Sequence, residues 1–215
     1  KLIFHINRLL GYWPNKIYLK ACSLLLGRNA IFIFKDSDGY GYLRNANVVA
    51  QEKIIAVRNI VSADFIQMLK HEFKKIYSFD KVQCDTYSLE HMDQILPLVE
   101  KDPDLSISEN VCFFVGLDKS RIGTISEVAS ELERFGIKCD FLVVRDKTSN
   151  SKSKYYTDSY ISYSDNVRRV QSSKYILEIN QKGQNGLTLR TLEAMFFERK
   201  LITNNESLKE YDFYD

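Results

Sequence analysis

Apolar residues in the second half of the chain recur with two different spacings. Residues 110–115 and 138–144 are short, almost continuous apolar runs rich in Phe and Val, which is typical of buried strands. Between them, in 121–135, apolar residues return every three or four positions, which predicts an amphipathic helix that ends at Gly136. The alternation continues, and it predicts strands at 161–163, 175–179 and 200–203 and helices at 164–171 (capped by Ser164 or Asp165) and 186–198.

The first half repeats this order less regularly. Its patterns predict strands at 30–34, 53–57 and 75–78 and helices near 14–26 and 62–73. Strands that alternate with helices favour a parallel sheet with helices on both faces. The segment 102–108, which contains Pro103, is predicted to be a linker. We therefore predict an α/β fold of two Rossmann-like halves with a cleft between them, an N-terminal half over 1–104 and a C-terminal half over 105–215.

Composition narrows the class of protein. The 215 residues include 30 Lys+Arg and 28 Asp+Glu, and a net charge of +2 argues against a nucleic-acid partner. The 45% hydrophobic content excludes a disordered chain. The four cysteines form no CxxC pair and are not clustered with the three histidines, so no metal site is predicted. Cys112 and Cys139 lie in apolar runs and are expected to be reduced thiols, which indicates a cytoplasmic protein.

Two segments that leave predicted strands could hold an anion. In open α/β sheets, ligands bind beyond the carboxyl ends of the strands, where a helix N-terminus offers free N–H groups. The first segment is 116–121, in which Gly116 permits a tight turn and Lys119 and Arg121 supply two cations. A solvated turn with ordinary surface charges explains the same residues.

The second segment, 180–188, combines glycines with amide side chains. Gly183 and Gly186 let the backbone approach a ligand closely, Gln184 and Asn185 bring amide donors and acceptors, and Thr188 places a hydroxyl in the first turn of the next helix. This combination suits a diphosphate attached to a sugar. A polar turn with a good helix cap is the alternative. Neither GxxxxGK[ST] nor GxGxxG is present, which disfavours a P-loop or a standard dinucleotide site.

Glu193 is a carboxylate inside a largely apolar stretch of helix. A buried charge without a partner is costly, so Glu193 must face water or have a partner. The two hydroxyls of a ligand ribose would be one such partner. A salt bridge to Arg190 or another nearby cation is the other.

Part of the second half of the chain resembles a known family of enzymes. Residues 183–205, GQNGLTLRTLEAMFFERKLITNN, resemble the donor-sugar segment of GT-B glycosyltransferases, in which a Gly-rich turn precedes a helix of the type LEAM. Together with 113–121 and the terminal Tyr211-Asp212-Phe213-Tyr214, the longer segment 176–205 resembles bacterial capsule and lipopolysaccharide glycosyltransferases. The likeness extends over 110–215. In the first half it is limited to the YSFD stretch that ends at Asp80, and that half is short or incomplete for such an enzyme.

The resemblance implies a reaction and a set of site residues. The family transfers a sugar from a nucleotide-diphosphate donor to a glycan or lipid-linked acceptor in cell-surface polysaccharide synthesis, with no cofactor. Glu193 matches the glutamate that holds the ribose, and the first glutamate of the family's E-x7-E pattern is Asn185 here. That departure leaves the stereochemistry and the sugar open. The residues expected to bind the donor are Gly116, Lys119, Arg121, Gln184, Asn185, Gly186, Leu187, Thr188 and Glu193.

Two alternatives to the GT-B hypothesis stay open, and so does the identity of the catalytic base. Asp36 and Asp38 follow a strand as Asp-x-Asp, the arrangement in which GT-A glycosyltransferases hold Mn²⁺ or Mg²⁺, although Asp-Ser-Asp-Gly is also a common turn. A nucleotide-binding module without turnover is the second rival. His5, Asp36 and Asp38 are weak candidates for a catalytic base. Aromatic and basic residues near the N-terminus would suit peripheral contact with the inner face of the cell membrane, and ordinary helix packing explains them equally well.

Overall fold

The computed structural model describes residues 21, 24–25, 31–36, 52–97 and 99–214. The chain divides into two compact units, Lys1–Asp93 and Gln94–Asp215. The division falls within the first predicted half, before the predicted linker at 102–108. Each unit has its own parallel sheet flanked by helices, so the predicted α/β class is confirmed.

The first unit contains a four-stranded parallel sheet in the order β1-β2-β3-β4. Its elements are β1 (Ile31–Lys35), β2 (Glu52–Val57), α1 (Ala63–Glu72), β3 (Lys75–Ser78), α2 (Lys81–Tyr87) and β4 (Glu90–His91). The hydroxyl of Ser62 caps α1 by accepting a hydrogen bond from the amide of Phe65, and Asp80 caps α2 in the same way through the amide of Gln83. The core of this unit is formed where α1 packs its buried Ile66 and Leu69 against the sheet.

The second unit contains a five-stranded parallel sheet in the order β7-β6-β5-β8-β9. Its elements are β5 (Ser108–Leu117), α3 (Ile122–Arg134), β6 (Lys138–Val144), β7 (Tyr156–Thr157), α4 (Tyr163–Ser172), β8 (Ser173–Glu178), α5 (Leu189–Phe196), β9 (Lys200–Thr203) and a short 3-10 helix (Glu206–Glu210). Gly136 ends α3 with φ +74°, as its position in the sequence predicts.

Helices cover both faces of the second sheet. Successive residues of β5 point to opposite faces, and from Val111 to Val115 both sets are apolar. Cys112 and Phe114 pack against Ile125 and Ala129 of α3. Phe113 belongs to a separate cluster built by side chains of α4 and α5, among them Val167, Val170 and Ala194. The sheet therefore holds α3 on one face and α4 and α5 on the other.

Several predicted elements need correction. The strand predicted at 161–163 does not form; the edge strand is Tyr156–Thr157, where no strand was predicted. Ser162 caps α4, not Ser164 or Asp165, because its hydroxyl accepts from the amide of Asp165 at 3.0 Å. The last helix begins at Leu189, three residues later than predicted. No sequence pattern predicted α2 or β4.

Other expectations are confirmed or fall outside the described residues. Cys112 and Cys139 are free thiols, and burial raises the pKa of Cys112 to about 12. In the part of the chain that the structure describes, no helix is both long enough and apolar enough to cross a membrane. The helix predicted at 14–26 and the aromatic and basic residues near the N-terminus lie almost entirely outside the described residues.

Candidate functional site

The sheet of the second unit has a topological switch point at its centre. Strands β5 and β8 are neighbours, but the chain leaves β5 toward β6 on one side and leaves β8 toward β9 on the other. In open α/β sheets, the crevice beyond the carboxyl ends of two such strands is the usual ligand site. Both predicted anion-binding segments begin there, so they lie at the same edge of the sheet.

The segment after β5, which we call the β5 exit turn (residues 118–121), is held by its own neighbours. Lys119 and Ser120 both have left-handed backbones, with φ of 46° and 62°. Their amides donate to the carboxylate of Asp146 at 2.8 Å and to the hydroxyl of Thr148 at 2.8 Å. Gly116 was expected in this turn, but it lies inside β5, paired with Val143, so that expectation is wrong.

Asp118 anchors the turn that leads into α3. One carboxylate oxygen accepts from the amides of Arg121 and Ile122, both at 3.0 Å. The other accepts from the hydroxyls of Ser149 at 2.7 Å and Tyr156 at 2.5 Å. Burial alone would raise the pKa of Asp118, but these hydrogen bonds outweigh it and lower the pKa below its ordinary value. Asp118 therefore ties three segments together as a buried carboxylate.

Arg121 joins the ends of β5 and β8. Its guanidinium donates to the carbonyl oxygens of Asp118 at 3.1 Å, of Leu117 and of Ile179. A Cβ atom at Gly116 would come within 3.2 Å of the guanidinium, so the glycine makes room for this side chain. Burial lowers the pKa of Arg121. These contacts give Arg121 a structural role at the strand ends.

The segment after β8, which we call the β8 exit turn (residues 179–188), is a glycine turn braced by amide side chains. Gly183 has φ +83°, a left-handed conformation that other residues adopt only with strain. Asn180 donates to the carbonyl of Gln184 at 3.2 Å, and Asn205 donates to that of Gly186 at 3.4 Å. The hydroxyl of Ser207 donates a hydrogen bond to the carbonyl oxygen of Asn185. The side chain of Leu187 is buried. The turn leads into α5, which Thr188 caps by accepting from the amide of Arg190 at 3.0 Å.

Glu178, the last residue of β8, fastens the start of α5 to the sheet. It is 2% exposed, and its carboxylate accepts hydrogen bonds from three threonine hydroxyls. Thr188 and Thr191 bond to one oxygen, and Thr203 of β9 bonds to the other at 2.5 Å. The three hydroxyls compensate a carboxylate that would be costly to bury alone.

A cavity of about 270 Å³ lies between the carboxyl ends of β5 and β6 and the first turns of α4 and α5. Its walls combine strand backbone, aromatic and aliphatic side chains and one buried acid, namely Val115, Gly116, Leu117, Val144, Tyr160, Ile161, Ser162, Tyr163, Asn166, Leu189, Arg190 and Glu193. The volume is at the lower end of small-molecule pockets, so it suits part of a ligand, such as a nucleoside.

Glu193 is fully buried in the wall of this cavity. Asn166 donates to one carboxylate oxygen at 2.9 Å, Arg190 forms an ion pair with the other, and Tyr163 adds a further hydrogen bond. Burial raises the pKa of Glu193, although the pull of Arg190 and the hydrogen bonds opposes that rise. The salt bridge that the sequence analysis held as one alternative is therefore present. These three donors leave the carboxylate with lone-pair capacity for one more donor, such as a ligand hydroxyl.

The structure brings some of the predicted donor-binding residues to the cavity and places others beside it. Among described residues, Gly116 and Glu193 belong to the cavity wall. Gln184 to Thr188 form the β8 exit turn, and Lys119 and Arg121 form the β5 exit turn at the same sheet edge. Whether these residues bind a donor stays a prediction.

The candidates on the acceptor side are in the first unit or outside the described residues. Asp36 follows β1 and accepts a hydrogen bond from Asn59 at 3.1 Å. Asp38 and His5 lie outside the described residues, so the Asp-x-Asp arrangement is not visible. Within the described ranges, no group of three or more His, Cys, Asp or Glu side chains is placed to hold a metal ion.

Sequence reasoning missed four residues of this edge, Asp118, Asn166, Tyr163 and Glu178. A signal for Glu178 exists, since it is an acid in the apolar strand YILEI and is followed by threonines. Asp118 also carries a signal, as an acid in the turn that precedes α3. Asn166 and Tyr163 carry none, because their importance arises from the packing of α4 against α5.

The comparisons with known proteins do not identify the chain. No protein-family model matches it, and no curated protein sequence matches it either. The assignment of function therefore depends on the residues and geometry of the site.

Proposed function

We propose that this protein is a glycosyltransferase of the GT-B class, whose second unit binds a nucleotide-diphosphate sugar. The sugar passes to a glycan or lipid-linked acceptor in cell-surface polysaccharide synthesis. The observation that carries the proposal is a buried carboxylate, Glu193, in the wall of a cavity beyond the carboxyl ends of β5 and β6, beside the switch point of a Rossmann-type sheet.

The chemistry of the cavity suits a nucleoside. Its aromatic and aliphatic side chains, such as Tyr160, Ile161 and Leu117, offer apolar surface for a base. Glu193 accepts a hydrogen bond from a ribose hydroxyl. The resemblance to the LEAM helix of GT-B enzymes assigns the same role to this glutamate.

The diphosphate then lies toward the two exit turns. The N-terminus of α5 carries a partial positive charge, and Lys119 adds a full one at the neighbouring strand end. Both stabilise the negative charge that develops on the leaving nucleoside diphosphate, which is the main catalytic effect that this reaction requires. Arg121 contributes mainly its charge, because three of its N–H donors bond to carbonyl oxygens. Asn185 replaces the first family glutamate, so the stereochemical outcome is left open.

The proposed reaction also requires a cellular location and residues that bind the acceptor. We infer a cytoplasmic enzyme in peripheral contact with the inner face of the cell membrane, where lipid-linked acceptors are found. The first unit supplies the acceptor side, with Asp36 as a candidate base.

One observation favours a second candidate, a nucleotide-binding module without turnover. In the β5 exit turn the amides of Lys119, Ser120 and Arg121 already have protein acceptors, so that turn has fewer donors for a leaving group than the resemblance implies. Such a module binds nucleotide but releases no product.

A thermal-shift screen with sugar donors linked to UDP, GDP, dTDP and CMP tests the proposal, with the matching sugar 1-phosphates as controls. A donor at about 100 times its dissociation constant should stabilise the protein by roughly 2.7 kcal/mol, and the controls should not. Release of free nucleotide with a glycan acceptor then separates transfer from mere binding, and activity in EDTA excludes the GT-A hypothesis. Absence of any shift with all four donors would contradict the proposal.

A further inference from the structure

Asn166 has a polar atom that the protein leaves unused. The residue lies in the first turns of α4, lines the cavity and is 4% exposed. Its side-chain amide nitrogen donates to Glu193, but its oxygen, Oδ1, is buried and has no hydrogen-bond partner in the described part of the chain. Buried polar atoms in folded proteins nearly always have partners, so an orphan in a cavity wall needs an explanation.

The carboxylate of Glu193 determines which atom of the Asn166 side-chain amide has no hydrogen-bond partner. Glu193 is paired with Arg190 and therefore acts as an acceptor. Turning the amide of Asn166 around would set its oxygen against that carboxylate, acceptor against acceptor, and would lose the bond at 2.9 Å. The orphan is therefore an acceptor, and a ligand that satisfies it must bring a donor.

The cavity wall thus holds two kinds of acceptor side by side. Glu193 keeps lone-pair capacity on its carboxylate, and Asn166 keeps both lone pairs on Oδ1. A ligand with two adjacent hydroxyls matches this pair, and among nucleotides the ribose supplies them. A deoxyribose lacks one hydroxyl and would leave one acceptor buried and unpaired.

We propose that Asn166 is a specificity-determining residue of the donor site. Its Oδ1 accepts a hydrogen bond from one ribose hydroxyl while Glu193 accepts from the adjacent hydroxyl. The protein therefore selects ribonucleoside diphosphate donors and disfavours those that lack either hydroxyl, dTDP-sugars included. This inference rests on the proposed function, since it requires that a nucleotide occupies the cavity.

Isothermal titration calorimetry on the full chain tests the selection. The probes are UDP and GDP, each compared with its 2′-deoxy and 3′-deoxy analogues. The ribonucleotide that binds more tightly should exceed each of its own deoxy analogues by about tenfold or more in affinity, since about 1.4 kcal/mol corresponds to a factor of ten.

The variant Asn166→Ala assigns the effect to one residue. It should bind the ribonucleotide more weakly, and its preference over one of the two analogues should fall to threefold or less. That analogue is the one that lacks the hydroxyl bound by Asn166. Gln171→Ala is a matched control, because Gln171 is a nearly buried amide on the same helix that bonds to the amide of Asp102 and is no part of the described cavity wall. It should keep both preferences. Asn166→Ser replaces the alanine variant if that protein does not fold.

The outcomes separate the two proposals. Equal affinities for the ribonucleotide and both analogues in the wild type would overturn the role of Asn166 while nucleotide binding stands. Unchanged preferences in the Asn166 variant would overturn it too. If neither UDP nor GDP binds but a dTDP- or CMP-linked donor stabilises the protein in the thermal-shift screen, this inference fails and the proposed function stands. If none of the four donors does, both fail.

Discussion

The two exit turns leave neighbouring parallel strands at the same edge of one sheet, yet they differ in what they do with their polar groups. In the β5 exit turn, Asp118, Asp146 and Thr148 bind the local amides, and the guanidinium of Arg121 bonds to carbonyl oxygens. Beyond the β8 exit turn, α5 presents Glu193 to a cavity whose wall also holds the unpaired oxygen of Asn166.

The polar groups of the β5 exit turn therefore serve the stability of the fold, whereas those around the cavity are available for binding, although both lie at the same edge of the sheet. Polar groups that satisfy each other hold the fold and have little left for a ligand, whereas unsatisfied acceptors in a cavity wall favour a ligand with donors. Glu178 serves both stability and binding, because its hydrogen bonds with Thr188 and Thr191 hold the start of α5, the helix that carries Glu193. The predictions below test this division.

Asp118→Ala should produce the largest loss of stability. The substitution removes the acceptor of two amides and two hydroxyls in a buried place, and we expect the free energy of unfolding to fall by about 4 kcal/mol. Urea denaturation measures it, with the exposed Asp104→Asn as control. A loss below about 1 kcal/mol would contradict the structural role.

The same carboxylate predicts a pH dependence. The pKa of Asp118 in the folded protein is lower than its ordinary value of about 3.9. Its ionised form therefore stabilises the fold above about pH 4, and this contribution is lost as the pH falls through the lower folded-state pKa. The stability gap between wild type and Asp118→Ala should narrow in that acid range.

Arg121→Lys sharpens the comparison, since it keeps the charge but loses the planar group that reaches three carbonyl oxygens. We expect a loss of about 3 kcal/mol in unfolding free energy, because hydrogen bonds from charged groups are among the stronger ones. Nucleotide affinity should change by less than about threefold. A stable variant with strongly weakened binding would instead make Arg121 a ligand-binding residue.

Glu178→Gln should lower both the stability of the fold and the affinity for nucleotide, with a smaller loss of stability than the two variants above. One oxygen becomes an amide donor that faces threonine hydroxyls, so we expect a stability loss of about 2 kcal/mol and a few-fold weaker nucleotide binding. Thr203→Val is the matched control, since it removes a hydroxyl bond to Glu178 from β9 and not from α5. It should lower the melting temperature while nucleotide affinity stays the same.

The sequence predicted most of the sheet because parallel strands buried on both faces are near-continuous apolar runs. Thus 138–144 and 75–78 match the observed strands at both ends. The edge strand Tyr156–Thr157 was missed because a two-residue pairing leaves no periodic pattern. The start of α5 was placed too early because the cap depends on Thr188, whose backbone is extended.

The candidate site was less predictable, for a physical reason. The resemblance indicated Glu193 and the β8 exit turn, which are local in sequence. The partners of Glu193 are Asn166 and Tyr163, from another helix, and only the packing of α4 against α5 brings them together. Similarly, no local pattern shows that Arg121 turns its donors toward carbonyl oxygens and not toward a ligand.

The dissociation constant of the best-binding nucleotide for Glu193→Gln, measured with the melting temperature of the same protein, tests the central claim most directly. Arg190→Gln is the matched control, because it removes the same ion pair but keeps the carboxylate. We predict that Glu193→Gln weakens nucleotide binding by about tenfold or more, and clearly more than Arg190→Gln does. An unchanged dissociation constant together with a lowered melting temperature would show that Glu193 serves the fold alone.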